Sequence, residues 1–334
     1  MSRVGVIGTT SWGTTLGIVL ARNGHEVSLW ARTSAEAKTL DSGRSHRFLP
    51  GVDFPDNLKI SDSADEVFAN ADLALSVVPT NTVTGNVERL REQLRQVPLI
   101  VSATKGIERE TGKPPTRLIR DALGENSSCR IGVISGPNLA PEVVAGMPTS
   151  ATVAFDSADA SEAAQAILTS PRLRVYASTD VTGVELGGAL KNIIAIGAGV
   201  IDGLGMGDNG KSAFITRGLA EITRLGVAMG AEPETFAGLS GLGDLVATCY
   251  SGLSRNRGVG EQLAKGRKAS EILEGMDQVA EGVNTTRAAL GLAAEHGVDM
   301  PITALTARVL FDDLDPREAL EMLMSRAPQA EVQR

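Results

Sequence analysis

Four short stretches of this 334-residue chain carry side chains whose types and spacing suit chemistry. Lys191 is the only charged residue between Leu186 and Ile201, in "LGGALKNIIAIGAGVI". A helix that is apolar nearly all round is buried, and an unpaired ammonium there is costly. Such a lysine either reaches out to water or has its pKa lowered toward the working pH, where it serves as a general acid or base. Lys105 follows the strand-like "LIVSAT" and precedes Gly106. That puts an ammonium at the carboxyl end of a strand, where open α/β sheets bind ligands. Asp244, in the glycine-bounded turn "GLGDL", suits a lysine ammonium or a substrate hydroxyl as partner. In "SRNR", Ser254 reads as the N-cap of a helix running to about Lys265. The amides of Arg255 and Asn256, with a guanidinium beside them, then face outward as a phosphate would require. Taken singly, each is also an ordinary strand-end lysine, helix cap or loop carboxylate.

A fifth stretch, "VGVIGTTSWGTTLG" from residue 4, has the spacing of a dinucleotide-binding turn, G-x-G-x-x-G. Gly8 makes the tight turn and Gly13 allows close helix–strand packing, but Thr10 occupies the middle place, where the backbone approaches a pyrophosphate. Thr10 adds bulk there and also a hydroxyl able to donate to a phosphate oxygen. A β-branched residue resists positive φ, so the expectation is a slightly shifted turn with weakened cofactor affinity. The next strand ends in "SLWAR", with Arg32 and no acid beside it. An arginine at this place accommodates a 2′-phosphate, so NADP is expected as well as NAD.

The elements needed to position these groups follow from patterning. Val4–Ile7, Val27–Trp30, Leu73–Val78, Leu99–Ala103, Ile131–Ile134, Ala151–Ala154 and Arg174–Tyr176 are short apolar runs separated by helix-length segments. This implies βαβ units and a mainly parallel, doubly wound sheet. From about residue 180 the chain reads as helices only. "SAFITRGLAEITRLGVAMG" has helical spacing with Arg217, Glu221 and Arg224 on the polar side. Near the end, Asp315 reads as an N-cap with Pro316 at the first helical position. The expected division is a dinucleotide-binding domain at 1–180 and an all-helical substrate domain at 181–330, joined by the helix around Lys191.

A net charge of −8 argues against nucleic acid as a partner. No uninterrupted apolar segment approaches the roughly 20 residues of a membrane span, and no signal peptide is apparent, so a cytoplasmic protein is expected. The two cysteines and three histidines are scattered, and no metal cluster is visible. With 37 glycines and 3% aromatics, close helix packing through small residues makes a homodimer plausible.

The motifs "SWGT", "ATKGIE", "ISGPNLAPE", "ELGGALKNIIAIGAG", "TRGLAEITRLG", "GLGDLVATC", "SRNR" and "AEGVNTT" occur in an order that resembles the bacterial NAD(P)-dependent glycerol-3-phosphate dehydrogenases. The resemblance implies a Rossmann-like N-terminal domain and an all-α C-terminal domain similar to that of 6-phosphogluconate dehydrogenase. It implies interconversion of dihydroxyacetone phosphate and sn-glycerol 3-phosphate for phospholipid synthesis. The family's proton-transferring lysine falls on Lys191 and its second active-site lysine on Lys105. Substrate contacts fall on Gly136, Asn138, Asp244, Ser254, Arg255 and Asn256. Cofactor contacts fall on Ser11, Trp12, Arg32, Lys105, Ala140, Arg255, Val279 and Glu281, beside the turn residues Gly8, Thr10 and Gly13. Thr10 departs from the usual glycine, and Asn138 stands where many relatives have Ser or Thr. Two alternatives are another two-domain NAD(P)-dependent reductase acting on a hydroxy acid, against which "SRNR" argues, and a non-catalytic nucleotide sensor, against which the two lysines argue.

Overall fold

The computed structural model describes residues 1–124, 127–327 and 330–331. Eight strands form one sheet: β1 (Arg3–Ile7), β2 (Glu26–Trp30), β3 (Leu58–Ser61), β4 (Leu73–Ser76), β5 (Leu99–Ser102), β6 (Arg130–Ser135), β7 (Thr149–Ala154) and β8 (Leu173–Ser178). Their order is β3-β2-β1-β4-β5-β6-β7-β8. All pairings are parallel except β6 with β7. Every residue of β4 and β5 is buried, which is why these strands read as apolar runs without alternation. β3 escapes that test: in "LKIS" only Leu58 is buried, so an edge strand gives no apolar run. The direction of strand order reverses between β1 and β4. Such a switch point opens a crevice at the carboxyl ends of the strands.

Beyond β8 the described residues hold helices and turns only. The 23-residue helix Val181–Gly203 is the axis of this part, packed by Gly207–Ala228, Arg255–Ala264 and Glu281–His296. Glycine sets how near Arg255–Ala264 comes. A Cβ at Gly260 would lie 1.9 Å from the Ile196 carbonyl oxygen, and one at Gly199 would lie 2.0 Å from that of Arg257. The two backbones touch, so small residues rather than rings fill this interface.

Two expectations are corrected here. Val181–Gly203 is long and apolar enough to cross a membrane, although no segment was expected to approach that length. The polar pair Lys191–Asn192 breaks the apolar run but not the average over the helix. Of its most apolar window, 89% is buried inside the protein, which makes it the core helix of this domain. The second correction concerns Glu221, expected on a polar face but only 1% exposed. Its carboxylate accepts the backbone N–H groups of Ile302 and Thr303, both at 2.8 Å, and the Thr303 hydroxyl at 2.7 Å. It thereby caps the helix Pro301–Phe311, whose positive end offsets the burial of a carboxylate. Burial raises the pKa of Glu221 and these donors pull it back. Glu221→Ala strands three buried donors and is expected to lower stability by about 3 kcal/mol, read by denaturant unfolding. Glu221→Gln, which keeps an acceptor, should lose less. An alanine variant as stable as the parent would refute the capping role.

Candidate active site

The nucleotide turn lies at the carboxyl end of β1. Gly8 has φ +110°, and a Cβ there would sit 2.4 Å from the Val77 carbonyl oxygen; one on Gly13 would lie 2.2 Å from that of Gly8. Both outer glycines are therefore demanded by the turn. Thr10 is not the irregularity its position implies. With φ −78° and ψ 165° it is extended and unstrained, and it is the N-cap of the helix Ser11–Arg22. Its hydroxyl accepts the Gly13 N–H at 3.0 Å and donates to the Val77 carbonyl at 2.9 Å. The expected phosphate-donating hydroxyl is thus corrected to a cap, because its one proton is already committed to Val77. Ser11 and Trp12 open the helix with no acid in its first turn, leaving first-turn amides and a positive helix end for an anion. Trp12 and Ala140 pack on the same apolar core. A glycine cradle with an open helix terminus fits a dinucleotide.

Arg32 is exposed, as a phosphate-facing side chain would be, yet it does not lack an acidic neighbour. Glu36, one turn along in the helix Ser34–Gly43, reaches back to accept the Arg32 N–H at 3.0 Å and lies 3.9 Å from its guanidinium. The expectation of no acid beside Arg32 is corrected: the helix that follows β2 returns one to the strand end.

The fold brings the two lysines together on one carboxylate. Lys191, 5% exposed, donates to Asp244 Oδ1 at 2.7 Å and to the Thr248 hydroxyl. Lys105 donates to Asp244 Oδ2 at 2.6 Å and to the Gly136 carbonyl at 2.8 Å. Lys191 does not reach out to solvent. Burial lowers its pKa to about 8, with Lys105 acting in the same sense and Asp244 opposing. Burial alone would push the Asp244 carboxyl up, but the two ammonium groups together hold it below its ordinary value. Asp244 begins the helix Asp244–Tyr250, so Thr248, one turn on, shares its face. Gly187 lets the preceding turn press on the lysine helix, since a Cβ there would lie 2.8 Å from the Ser240 carbonyl oxygen.

From these two lysines a hydrogen-bonded chain runs to the "SRNR" stretch. Asn192 Nδ2 donates to the Lys105 carbonyl at 3.2 Å, and Asn192 Oδ1 accepts from Asn256 Nδ2 at 2.9 Å. Asn256 Oδ1 accepts the Gly282 N–H at 3.0 Å. The Asn256 side chain is therefore committed inside the protein, leaving its position in the first helical turn as what it offers a ligand. Ser254 caps Arg255–Ala264 through the Arg257 N–H at 3.2 Å, as its sequence implied. Arg255 is exposed and donates to the Val279 carbonyl at 2.7 Å. Glu281 crosses to the sheet, where its carboxylate takes the N–H and hydroxyl of Thr80, both at 3.1 Å, just beyond β4. Asn138 donates to the Thr149 hydroxyl and the Ser150 carbonyl, while its buried Oδ1 finds no partner among the described residues.

Ser11, Trp12, Arg32 and Ala140 thus lie by the nucleotide turn, and Lys105, Gly136, Lys191 and Asp244 form a second cluster along the same carboxyl edge. Glu36, Thr80, Asn192 and Thr248 are additions that sequence reasoning missed. Two had a signal: Asn192 is the other polar residue in the apolar run, and Thr248 follows Asp244 at a helical spacing of four.

Comparison with known proteins agrees with this architecture. Residues 3–161 match the family model for the NAD-dependent glycerol-3-phosphate dehydrogenase N-terminus, and residues 180–321 match that for the C-terminus. A glycerol-3-phosphate dehydrogenase [NAD(P)+] of Koribacter versatilis is 47% identical over 335 residues, covering 99% of each chain. One from Dehalococcoides mccartyi is 46% identical over 326 residues, 97% of this chain and 91% of its own. The crystal structure of glycerol-3-phosphate dehydrogenase from Coxiella burnetii superimposes with a TM-score of 0.91 at 36% identity, covering 97% of this chain and 99% of that one. With matches along nearly its whole length, the chain belongs to the NAD-dependent glycerol-3-phosphate dehydrogenase family, a family of NAD(P)-linked oxidoreductases.

Proposed function

We propose that this chain interconverts dihydroxyacetone phosphate and sn-glycerol 3-phosphate, using NADP or NAD. The observation that carries the reading is the buried Lys191–Asp244–Lys105 cluster at the carboxyl edge of the sheet. When bound, the reduced nicotinamide supplies a hydride to the C2 carbonyl. Lys191 gives its proton to the oxygen at C2 as negative charge develops there, and as the free amine it takes that proton back in the oxidative direction. A pKa of about 8 suits both tasks near neutral pH. Asp244 holds both ammonium groups in place, and Lys105, the less buried of the two, faces the reacting oxygens. Arg255 and the amide end of the helix capped by Ser254 anchor the phosphate with Asn256 in its first turn. Gly136 and Asn138 supply the opposite wall.

The cofactor is held by the Gly8–Gly13 turn, the amides at Ser11 and Trp12, and Arg32, with Ala140, Val279 and Glu281 lining its path. On this reading residues 1–180 form the cofactor domain and residues 181–330 the substrate domain. The product serves phospholipid synthesis in the cytoplasm, and the active form is a homodimer. Spectrophotometry tests the reaction. Dihydroxyacetone phosphate should cause oxidation of NADH or NADPH, and unphosphorylated 2-keto acids should not. Absence of turnover with either cofactor would sink the assignment, and preference for a keto acid would favour a hydroxy-acid reductase.

A further inference from the structure

Specificity for the adenosine end of the cofactor is written at the tip of β2. In this fold an acidic side chain at that strand end accepts the ribose 2′-hydroxyl, whereas an arginine takes a 2′-phosphate. Both types meet here. Glu36 Oε1 accepts the Thr9 hydroxyl at 2.5 Å, and Oε2 accepts the Arg32 N–H at 3.0 Å. The carboxylate is therefore tied to the nucleotide turn on one side and to the strand end on the other, across the space between β1 and β2.

The rest of the neighbourhood fixes that position. The Thr9 carbonyl accepts His46 Nε2 at 2.9 Å, and His46 Nδ1 accepts the Phe48 N–H at 3.2 Å. The histidine thus carries its proton on Nε2 and is neutral, with burial lowering its pKa, so it adds no cation to the site. Two guanidinium groups do stand close. Arg32 lies 3.9 Å from Glu36, and Arg89 stacks on Trp30 while donating to the Arg32 carbonyl. A second carboxylate, Asp62 just beyond β3, accepts the Ser34 hydroxyl, so Glu36 is the one that bonds to Arg32 itself.

We propose that Glu36 is the residue that sets NAD against NADP in this chain. It accepts the ribose 2′-hydroxyl of NAD(H) and opposes the 2′-phosphate that Arg32 would otherwise attract. The inference rests on the oxidoreductase reading above but concerns cofactor choice alone. Glu36 is the fourth residue after Arg32 and lies in the next helix, so its role arises from the return of that helix and not from the strand sequence.

The test is calorimetric titration of the full chain with NADH and with NADPH, without triose, so that binding is read independently of turnover. In Glu36→Gln, affinity for NADPH relative to NADH should rise roughly tenfold, the scale expected for one partly screened charge. Thr9→Val leaves the charge but releases the carboxylate, and should shift the ratio the same way by a smaller factor. Arg32→Ala should shift it in the opposite direction. Weakening of both cofactors alike, with an unchanged ratio, is what a merely structural role predicts and would overturn the proposal. Failure of the parent chain to bind either cofactor would overturn the oxidoreductase reading as well.

Discussion

Lys191→Ala is expected to lower turnover by roughly 10²–10⁴-fold, the usual contribution of a general acid–base group, with a much smaller change in the KM for dihydroxyacetone phosphate. The ammonium is buried among apolar residues of its own helix and contacts Asp244 and Thr248. Its removal takes away a proton source that water cannot readily replace. Lys191→Arg separates charge from proton transfer. A guanidinium keeps the positive charge but does not release its proton at working pH, so this variant should be nearly as slow. The pH profile of the parent enzyme gives an independent reading. Reduction needs the ammonium and should fall as pH rises through about 8, whereas oxidation needs the free amine and should rise through the same range. Turnover by the alanine variant near that of the parent, or profiles without opposite limbs, would remove Lys191 from the mechanism.

Asp244→Asn is expected to damage both stability and rate. The carboxylate is 2% exposed and lies between two lysines, so the neutral amide leaves two ammonium groups facing each other without a counter-charge. Removing one partner of a buried ion pair costs about 3–5 kcal/mol, readable as a lower denaturant midpoint. Asp244 is also what opposes burial and Lys105 in keeping Lys191 protonated. Without it, the reductive limb of the pH profile should move to lower pH. In the parent protein the Asp244 carboxyl is depressed below its ordinary 3.8. Its stabilising contribution is therefore fully present above that value and disappears only as pH falls through the depressed pKa. A variant as stable as the parent, with an unmoved reductive limb, would show that Asp244 is not the counter-ion.

Much of this site was legible in one dimension because its signals are local. The turn glycines Gly8 and Gly13 answer to backbone conformation and contact distance, and the Ser254 and Asp315 caps lie beside the helices they start. A charged residue isolated in an apolar run, as Lys191 is, announces burial whatever surrounds it. Thr10 shows where local reasoning failed. Its hydroxyl is taken by the Gly13 N–H and by the carbonyl of Val77, and the second partner lies just beyond β4, far away in the chain.

The sequence by itself determined the succession of strands and helices, the place of the nucleotide turn, and which lysines were out of keeping with their surroundings. These are consequences of periodicity, turn stereochemistry and the energy of burying charge, each settled within a few residues. Only the tertiary structure decided partnership. It placed Asp244 between lysines that are 139 and 53 positions away in the chain. It turned Glu221 inward onto a helix that starts 80 residues later. It also brought Glu36 back to the Arg32 strand end. A carboxylate in a sequence has no assigned cation or amide; packing of distant elements selects one, because a buried charge persists only where the fold supplies its partner.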